Sequence, residues 1–119
     1  MPAAIGVKCA RKEVPVLVIV GDAGFQYTMA ELAVAVEHGF NIVVLLWNND
    51  ALQQIADDMV NAEIETVAVT QQNPDFDLLA RGLGAEYQMI GGLSALGPAL
   101  EEAFAATGPV VLELHESRV

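Results

Sequence analysis

Two uninterrupted apolar runs of strand length constrain the fold of this chain more than any other feature. They span Pro15 to Val20 (PVLVIV) and Ile42 to Trp47 (IVVLLW), and a polar loop follows each of them. Continuous aliphatic runs of this length are typical of strands whose two faces are both buried in a parallel sheet. The first run is therefore predicted to be a central strand and not an edge strand.

An amphipathic helix joins the two runs. We place it from about Thr28 to His38, because Thr28 and Glu31 form a capping-box pattern and Gly39 supplies a C-terminal stop. Two strands joined in this way within one sheet are parallel and form a right-handed unit. Their carboxyl ends then lie at the same edge of the sheet. The residues that follow them, Asp22 and Asn49, are expected to meet there.

The rest of the chain continues the alternation of helices and strands. Asn73-Pro74-Asp75 predicts a capped helix start, and Cys9 is expected to be buried in an N-terminal helix. Thr66 to Thr70 is interpreted as a strand or an extended connection. The other predicted elements are helices over Pro2–Ala10, Ala51–Val60, Asn73–Leu83 and Ser94–Ala106, and strands over Glu86–Ile90 and Pro109–Leu114. This order predicts an α/β fold, a doubly wound and mostly parallel open sheet with helices on both faces.

Length, charge and composition narrow the class of protein. A chain of 119 residues fits one domain, and its net charge of −11 with only five Lys and Arg argues against nucleic acid and anionic membrane as partners. No apolar run approaches the roughly 18 residues of a membrane span, and the N-terminus lacks a signal-peptide pattern. A single cysteine excludes an internal disulfide framework. These features predict a cytoplasmic protein.

Asp22 and Asn49 carry the chemistry at the predicted sheet edge. One carboxylate, one carboxamide and a loop carbonyl suit Mg²⁺ that also takes oxygens from a bound phosphate. Gly24 would let the backbone approach that phosphate closely. The sequence therefore predicts a cofactor that contains a diphosphate.

Several motifs resemble those of a known enzyme family. The stretch GDAGF at residues 21–25, then TMAEL at 28–32 and WNN at 47–49, resembles the thiamine diphosphate signature in the pyrophosphate-binding domain of thiamine-dependent decarboxylases and carboligases. Further similarity is carried by PAAIG, NPDF, GLGA and GPVVLEL, so the resemblance covers nearly the whole chain. It is nearest to the acetolactate synthase and guanidino-oxopentanoate decarboxylase type, and it implies the thiamine diphosphate-binding fold.

The resemblance implies a role for each matching residue. Asp22 and Asn49 would bind Mg²⁺ through their side chains, and Ala51 would bind it through its carbonyl oxygen. Asn48 would fix the loop without binding the metal. Gln53 departs from the family pattern, which has a glycine nearby. The implied cofactor-binding residues are Gly21, Ala23, Gly24, Ala51 and Leu52.

The resemblance also implies what the chain lacks. In this family a separate pyrimidine-binding domain supplies the glutamate that activates the cofactor, and no segment of residues 1–119 matches it. The chain is thus interpreted as a single thiamine diphosphate- and Mg²⁺-binding domain of a 2-oxo acid decarboxylase or carboligase. It is expected to hold no catalytic residue, to be inactive alone, and to form a homo-oligomer or to pair with the missing domain.

Two alternatives from other classes remain open. One is a non-catalytic relic or interaction domain, which the hydrophobic fraction of 54% would suit. The other is a phosphoacceptor signalling module, which needs an acidic pair after the first strand and a lysine after a late one. Asp22 has no adjacent acid, and the last strand ends in Glu113-Leu114-His115. The signalling module is the weaker alternative.

Overall fold

Four parallel strands form the sheet at the centre of the computed structural model, which describes all of residues 1–119. The strands are β1 (Leu17–Gly21), β2 (Val43–Asn48), β3 (Glu86–Ile90) and β4 (Val110–His115), and they lie in the order β1-β2-β4-β3. The helices are α1 (Pro2–Ala10), α2 (Asp22–Gln26), α3 (Glu31–Glu37), α4 (Gln53–Asn61), α5 (Phe76–Gly82) and α6 (Leu96–Ala105). Two 3₁₀ turns span Leu93–Ala95 and Glu116–Arg118. The predicted α/β fold with a parallel sheet is confirmed.

Helices cover both faces of this sheet. Successive residues of a strand point to opposite faces, so Val44 and Leu46 of β2 pack under α1, α3 and α5, whereas Val43 and Leu45 pack under α6. Leu32 of α3 is fully buried in the first layer. The two cores confirm the predicted doubly wound arrangement. None of the helices is long and apolar enough to cross a membrane.

The prediction that the first apolar run is a central strand is wrong, because β1 lies at the edge of the sheet. Val18 and Val20 pack into the core under α1 and α3, but Leu17 is 40% exposed and Ile19 is 71% exposed on the other face. Helix α6 packs against β2 and β4, and the core beneath it contains no residue of β1. A continuous apolar run cannot distinguish a strand covered on both faces from one covered on a single face.

The helix between β1 and β2 begins later than predicted and has no capping box. Helix α3 begins at Glu31, its N-cap residue is Ala30, and no side chain caps it. The backbone before it is already turned, so the N–H of Glu31 donates to the Thr28 carbonyl at 3.1 Å. A hydroxyl cap has no free N–H group to satisfy. Gly39 ends the helix as predicted, with φ of +60° and its N–H on the Val36 carbonyl.

Helix α5 also begins later than its sequence motif suggests. The N-cap is Asp75, whose Oδ1 accepts a hydrogen bond from the N–H of Leu78 at 3.0 Å. Pro74 therefore lies before the cap, and the side chain of Asn73 is not used by the helix. Upstream, Thr70 forms one isolated antiparallel bridge with Ala51, and Ala68 before it has φ of +58°, so this segment is an irregular connection and not a strand.

The bounds of α1 match the prediction, but its buried face does not. Cys9 is exposed, which corrects the expectation that it is buried. The buried positions of α1 are Ala4 and Lys8, one helical turn apart. The Lys8 ammonium group donates to the carbonyls of Lys12 at 3.1 Å and Val14 at 2.7 Å. These carbonyls allow a charged residue to occupy the buried face that the sequence pattern assigned to apolar side chains.

Candidate functional site

The polar residues that follow β1 and β2 meet at the carboxyl edge of the sheet. The parallel register pairs Gly21 at the end of β1 with Trp47 near the end of β2. A cavity of about 260 Å³ opens at this edge. Its lining includes Gly21, Asp22, Ala23, Asn49, Ala51 and Leu52. The structure therefore brings together six of the seven residues that the sequence selected, and their binding roles stay predictions.

Gly24, the seventh selected residue, lies outside this cavity. It is part of the short helix α2, where an added Cβ would come within 3.3 Å of the Val20 Cγ2 atom. The absence of a side chain at this position allows α2 to pack closely on β1. The structure thus shows a packing reason for this glycine.

Asp22 is a buried carboxylate without a cationic partner. Its side chain is 2% exposed, Oδ1 accepts from the N–H of Ala23 at 2.9 Å, and Oδ2 accepts from the Asn73 amide at 2.5 Å. No lysine, arginine or histidine pairs with it. Burying an unpaired charge is costly, so this position favours a bound cation. The residues present therefore fit the predicted metal.

The protein alone offers this cation an incomplete set of ligands. No group of three or more His, Cys, Asp or Glu side chains is arranged to hold a metal ion. Asp22 is the only carboxylate in the cavity lining, and the other oxygens come from the carboxamides of Asn49, Gln53 and Gln54 and from the backbone. Magnesium is commonly bound by one or two protein carboxylates together with phosphate oxygens and water. The donor set suits a metal that arrives with a phosphorylated ligand.

Asn48 fixes the loop that carries Asn49 and Ala51. Its Oδ1 accepts from the N–H of Asp50 at 3.1 Å, and its Nδ2 donates to Glu113 at 2.7 Å. Asp50 adopts the left-handed conformation with φ of +55°, which is uncommon outside glycine and tolerated by aspartate. The prediction that Asn48 holds the loop is confirmed.

His115 supports the same loop from the end of β4. Its Nε2 lies 3.0 Å from Oδ2 of Asp50, and its Nδ1 accepts from the backbone N–H of Ser117 at 3.2 Å. The proton of a neutral ring therefore sits on Nε2 and is donated to Asp50. Asp50 lies between the predicted metal ligands Asn49 and Ala51. Contacts from Asn48 and from His115 therefore hold this turn.

Sequence reasoning missed Glu113, which lies beneath the site. It is 4% exposed, and its two carboxylate oxygens accept from Asn48 at 2.7 Å and from the Tyr87 hydroxyl at 2.8 Å. A signal was present, because a glutamate interrupts the apolar run of β4. Sequence reasoning also missed Asn73, which it assigned to a helix start and which contacts Asp22.

Burial raises the pKa of the Tyr87 hydroxyl, and its hydrogen bond to Glu113 raises it further. Above the ordinary tyrosine pKa of about 10, the unfolded chain loses this proton while the folded protein keeps it. The folded state then binds more protons, so the stabilising contribution is complete below that pH and falls as the pH rises. We expect Tyr87→Phe to remove the contribution of Tyr87 to the decline in melting temperature above about pH 10.

The second tyrosine provides the matched control for this measurement. Tyr27 is 86% exposed and lies away from Glu113, so Tyr27→Phe should keep the alkaline decline of the wild type. The same slope in Tyr87→Phe and in the wild type would contradict the assignment of the decline to Tyr87.

A family model and two curated proteins match nearly the whole of this chain. The family model for the thiamine pyrophosphate enzyme, C-terminal TPP binding domain, matches residues 1–114. The chain is 46% identical over 118 residues to the probable 2-ketoarginine decarboxylase AruI of Pseudomonas aeruginosa, covering 98% of this chain and 21% of that protein. It is 34% identical over 116 residues to the mitochondrial acetolactate synthase catalytic subunit of Saccharomyces cerevisiae, covering 97% of this chain and 17% of that protein.

A solved structure shows the same fold. The thiamine diphosphate-dependent 4-hydroxybenzoylformate decarboxylase of Rhodococcus jostii RHA1 superimposes with a TM-score of 0.88 at 24% identity, over 97% of this chain and 22% of that chain. This chain spans about a fifth of the length of the curated relatives it matches.

Proposed function

We propose a function from one premise: the chain belongs to the family of thiamine pyrophosphate enzymes, in which it is the C-terminal TPP-binding domain. On this premise it binds thiamine diphosphate through Mg²⁺ as the cofactor-binding part of a 2-oxo acid decarboxylase or carboligase. Relatives named 2-ketoarginine decarboxylase and acetolactate synthase support this reaction class. The cytoplasmic location stays a prediction.

The observation that carries the proposal is the buried, uncompensated Asp22 carboxylate beside the cavity. Asp22 would neutralise the cation, while the Asn49 carboxamide and the Ala51 carbonyl would complete the protein's share of its ligands. Bound thiamine diphosphate supplies the stabilisation of carbanions on which this chemistry depends. The chain itself contributes binding and orientation, and we propose that it is inactive alone.

Charge makes the proposed binding depend on the metal. The protein carries a net charge of −11, and Asp22 and Asp50 both lie at the carboxyl edge of the sheet. A diphosphate would be repelled here unless a divalent cation lay between the two sets of oxygens. Gln53 lines the cavity, and its amide nitrogen donates along α4 to Asp57 at 2.8 Å.

We further propose that the domain works in an assembly, with a pyrimidine-binding domain or a second copy of itself. The apolar side chains of Leu17 and Ile19 on the open face of β1 support an interface. The same surface is what favours the alternative function of a non-catalytic interaction domain.

Isothermal titration of the chain with thiamine diphosphate tests the proposal. We expect binding heat in the presence of Mg²⁺ and none after the metal is removed with EDTA, because the acidic site repels the free diphosphate. Absence of heat in both conditions would favour the interaction domain. Labelling of an aspartate by acetyl phosphate would favour the phosphoacceptor module.

A further inference from the structure

Three oxygen atoms from different parts of the chain converge on the side-chain nitrogen of Asn73. This nitrogen lies 2.5 Å from Asp22 Oδ2, 2.8 Å from Asn48 Oδ1 and 3.0 Å from Asp50 Oδ1. The Asn73 carbonyl oxygen accepts from Gln26 Nε2 at 3.0 Å. A carboxamide nitrogen carries two hydrogens, so three acceptors exceed what it can fully satisfy. The Asn73 side-chain nitrogen therefore has one more acceptor around it than it has hydrogens to donate.

Asn73 has no structural task in its own segment. Helix α5 is capped by Asp75, and the neighbouring Gln72 and Pro74 are exposed. Every side-chain partner of Asn73 belongs to another element: two lie on α2, one ends β2 and one lies in the loop after β2. Its side chain therefore forms hydrogen bonds only with residues at the carboxyl edge of the sheet.

Asn73 relieves an electrostatic conflict at this edge. Asp22 and Asp50 both direct a carboxylate oxygen at the same point, where like charges repel and where no lysine or arginine lies between them. A donor placed between the two oxygens reduces this repulsion. It also holds one oxygen of Asp22 while the Ala23 N–H holds the other, so the orientation of the carboxylate is fixed from both sides.

We propose that Asn73 is a positioning residue of the cofactor site. It orients the Asp22 carboxylate and, through Asp50, the turn between Asn49 and Ala51, and it does so without binding the metal. For its effect on cofactor binding the inference rests on the proposed function. When a side chain that forms a hydrogen bond with a metal ligand is removed, the affinity for the metal commonly falls by about 10–100-fold.

The first test is the affinity of Asn73→Ala for thiamine diphosphate in Mg²⁺, measured by titration calorimetry. We expect it to fall about 10–100-fold, with the circular dichroism spectrum retained because the α5 cap remains. The control Gln72→Ala changes an exposed neighbour and should bind like the wild type. Equal affinity of Asn73→Ala and the wild type would overturn the inference.

The second test needs no cofactor. Asn73→Asp keeps the side-chain size and the acceptor for Gln26, but it replaces the donor with a third carboxylate oxygen facing Asp22 and Asp50. We expect its melting temperature without metal to fall below that of Asn73→Ala. Mg²⁺ alone should then raise it by more than it raises the wild type, because the cation takes over the place of the donor.

The two tests separate this inference from the proposed function. If the wild type binds no thiamine diphosphate, the proposed function fails, and the melting temperatures still decide the role of Asn73. A larger Mg²⁺-dependent shift in Asn73→Asp than in the wild type supports it. Equal shifts in the two proteins overturn it, since an asparagine that only filled space would not create a metal response when changed to aspartate.

Discussion

Replacing Asp22 with asparagine is expected to abolish Mg²⁺-dependent binding of thiamine diphosphate while the fold is retained. The loss should exceed the roughly 100-fold that removal of an outer partner can cause, because the variant lacks the single charge that would hold the cation. Asparagine has nearly the same volume as aspartate, and it can still accept from the N–H of Ala23, which lies 2.9 Å from Asp22 Oδ1.

The stability of Asp22→Asn separates a ligand from a structural residue. The variant loses one charge-assisted hydrogen bond from Asn73, which favours unfolding, but it also loses a buried and unpaired charge, which favours folding. These effects oppose each other, so we expect its free energy of unfolding without metal to lie within about 2 kcal/mol of the wild type. Urea unfolding with and without Mg²⁺ measures this difference.

Asp58→Asn is the matched control for Asp22→Asn. It makes the same chemical change on the exposed surface of α4, where Asp58 accepts only from the Gln54 amide. Its affinity for the cofactor should stay close to that of the wild type. Unchanged binding by Asp22→Asn would remove Asp22 from the proposed ligands.

Sequence alone could predict the meeting of Asp22 and Asn49 because it depends on few rules. Two apolar runs joined by a helix give parallel strands, and parallel strands end at one edge of the sheet. The residues after each strand are then neighbours whatever the details of packing. The cavity residues Gly21 and Ala51, by contrast, are implied by the family resemblance and not by this reasoning.

Features that depend on tertiary packing could not be predicted in this way. The edge position of β1 depends on which strands pair with it, and no pattern within Leu17 to Gly21 records this. Asn73 followed by Pro74 has the local form of a helix start, whereas its actual partners include Asp22, far away in the sequence. Contacts between distant polar side chains leave no periodic signal.

Lys8 and Glu113 show a related limit. Charged residues are seldom buried, so both positions would be placed at the surface by composition alone. Each is buried because other polar groups form hydrogen bonds with it. Lys8 donates to two backbone carbonyls, and Glu113 accepts from the side chains of Asn48 and Tyr87. A charge within an apolar strand is therefore a usable sign of a polar network inside the fold.

Glu113→Ala is expected to lower the free energy of unfolding by about 2–4 kcal/mol, since it leaves one buried and one half-buried donor without acceptors and opens a cavity. The donors are Asn48 Nδ2 and the Tyr87 hydroxyl. Removal of the buried charge offsets part of this loss, but the two unpaired donors and the lost packing outweigh it. Because Asn48 also fixes Asp50, cofactor affinity should fall together with stability.

Urea unfolding of Glu113→Ala is compared with that of Glu102→Ala. Glu102 is exposed on α6, so its replacement should change the free energy of unfolding by no more than about 0.5 kcal/mol. Similar losses in the two variants would show that Glu113 does not anchor the loop that carries the proposed metal ligands.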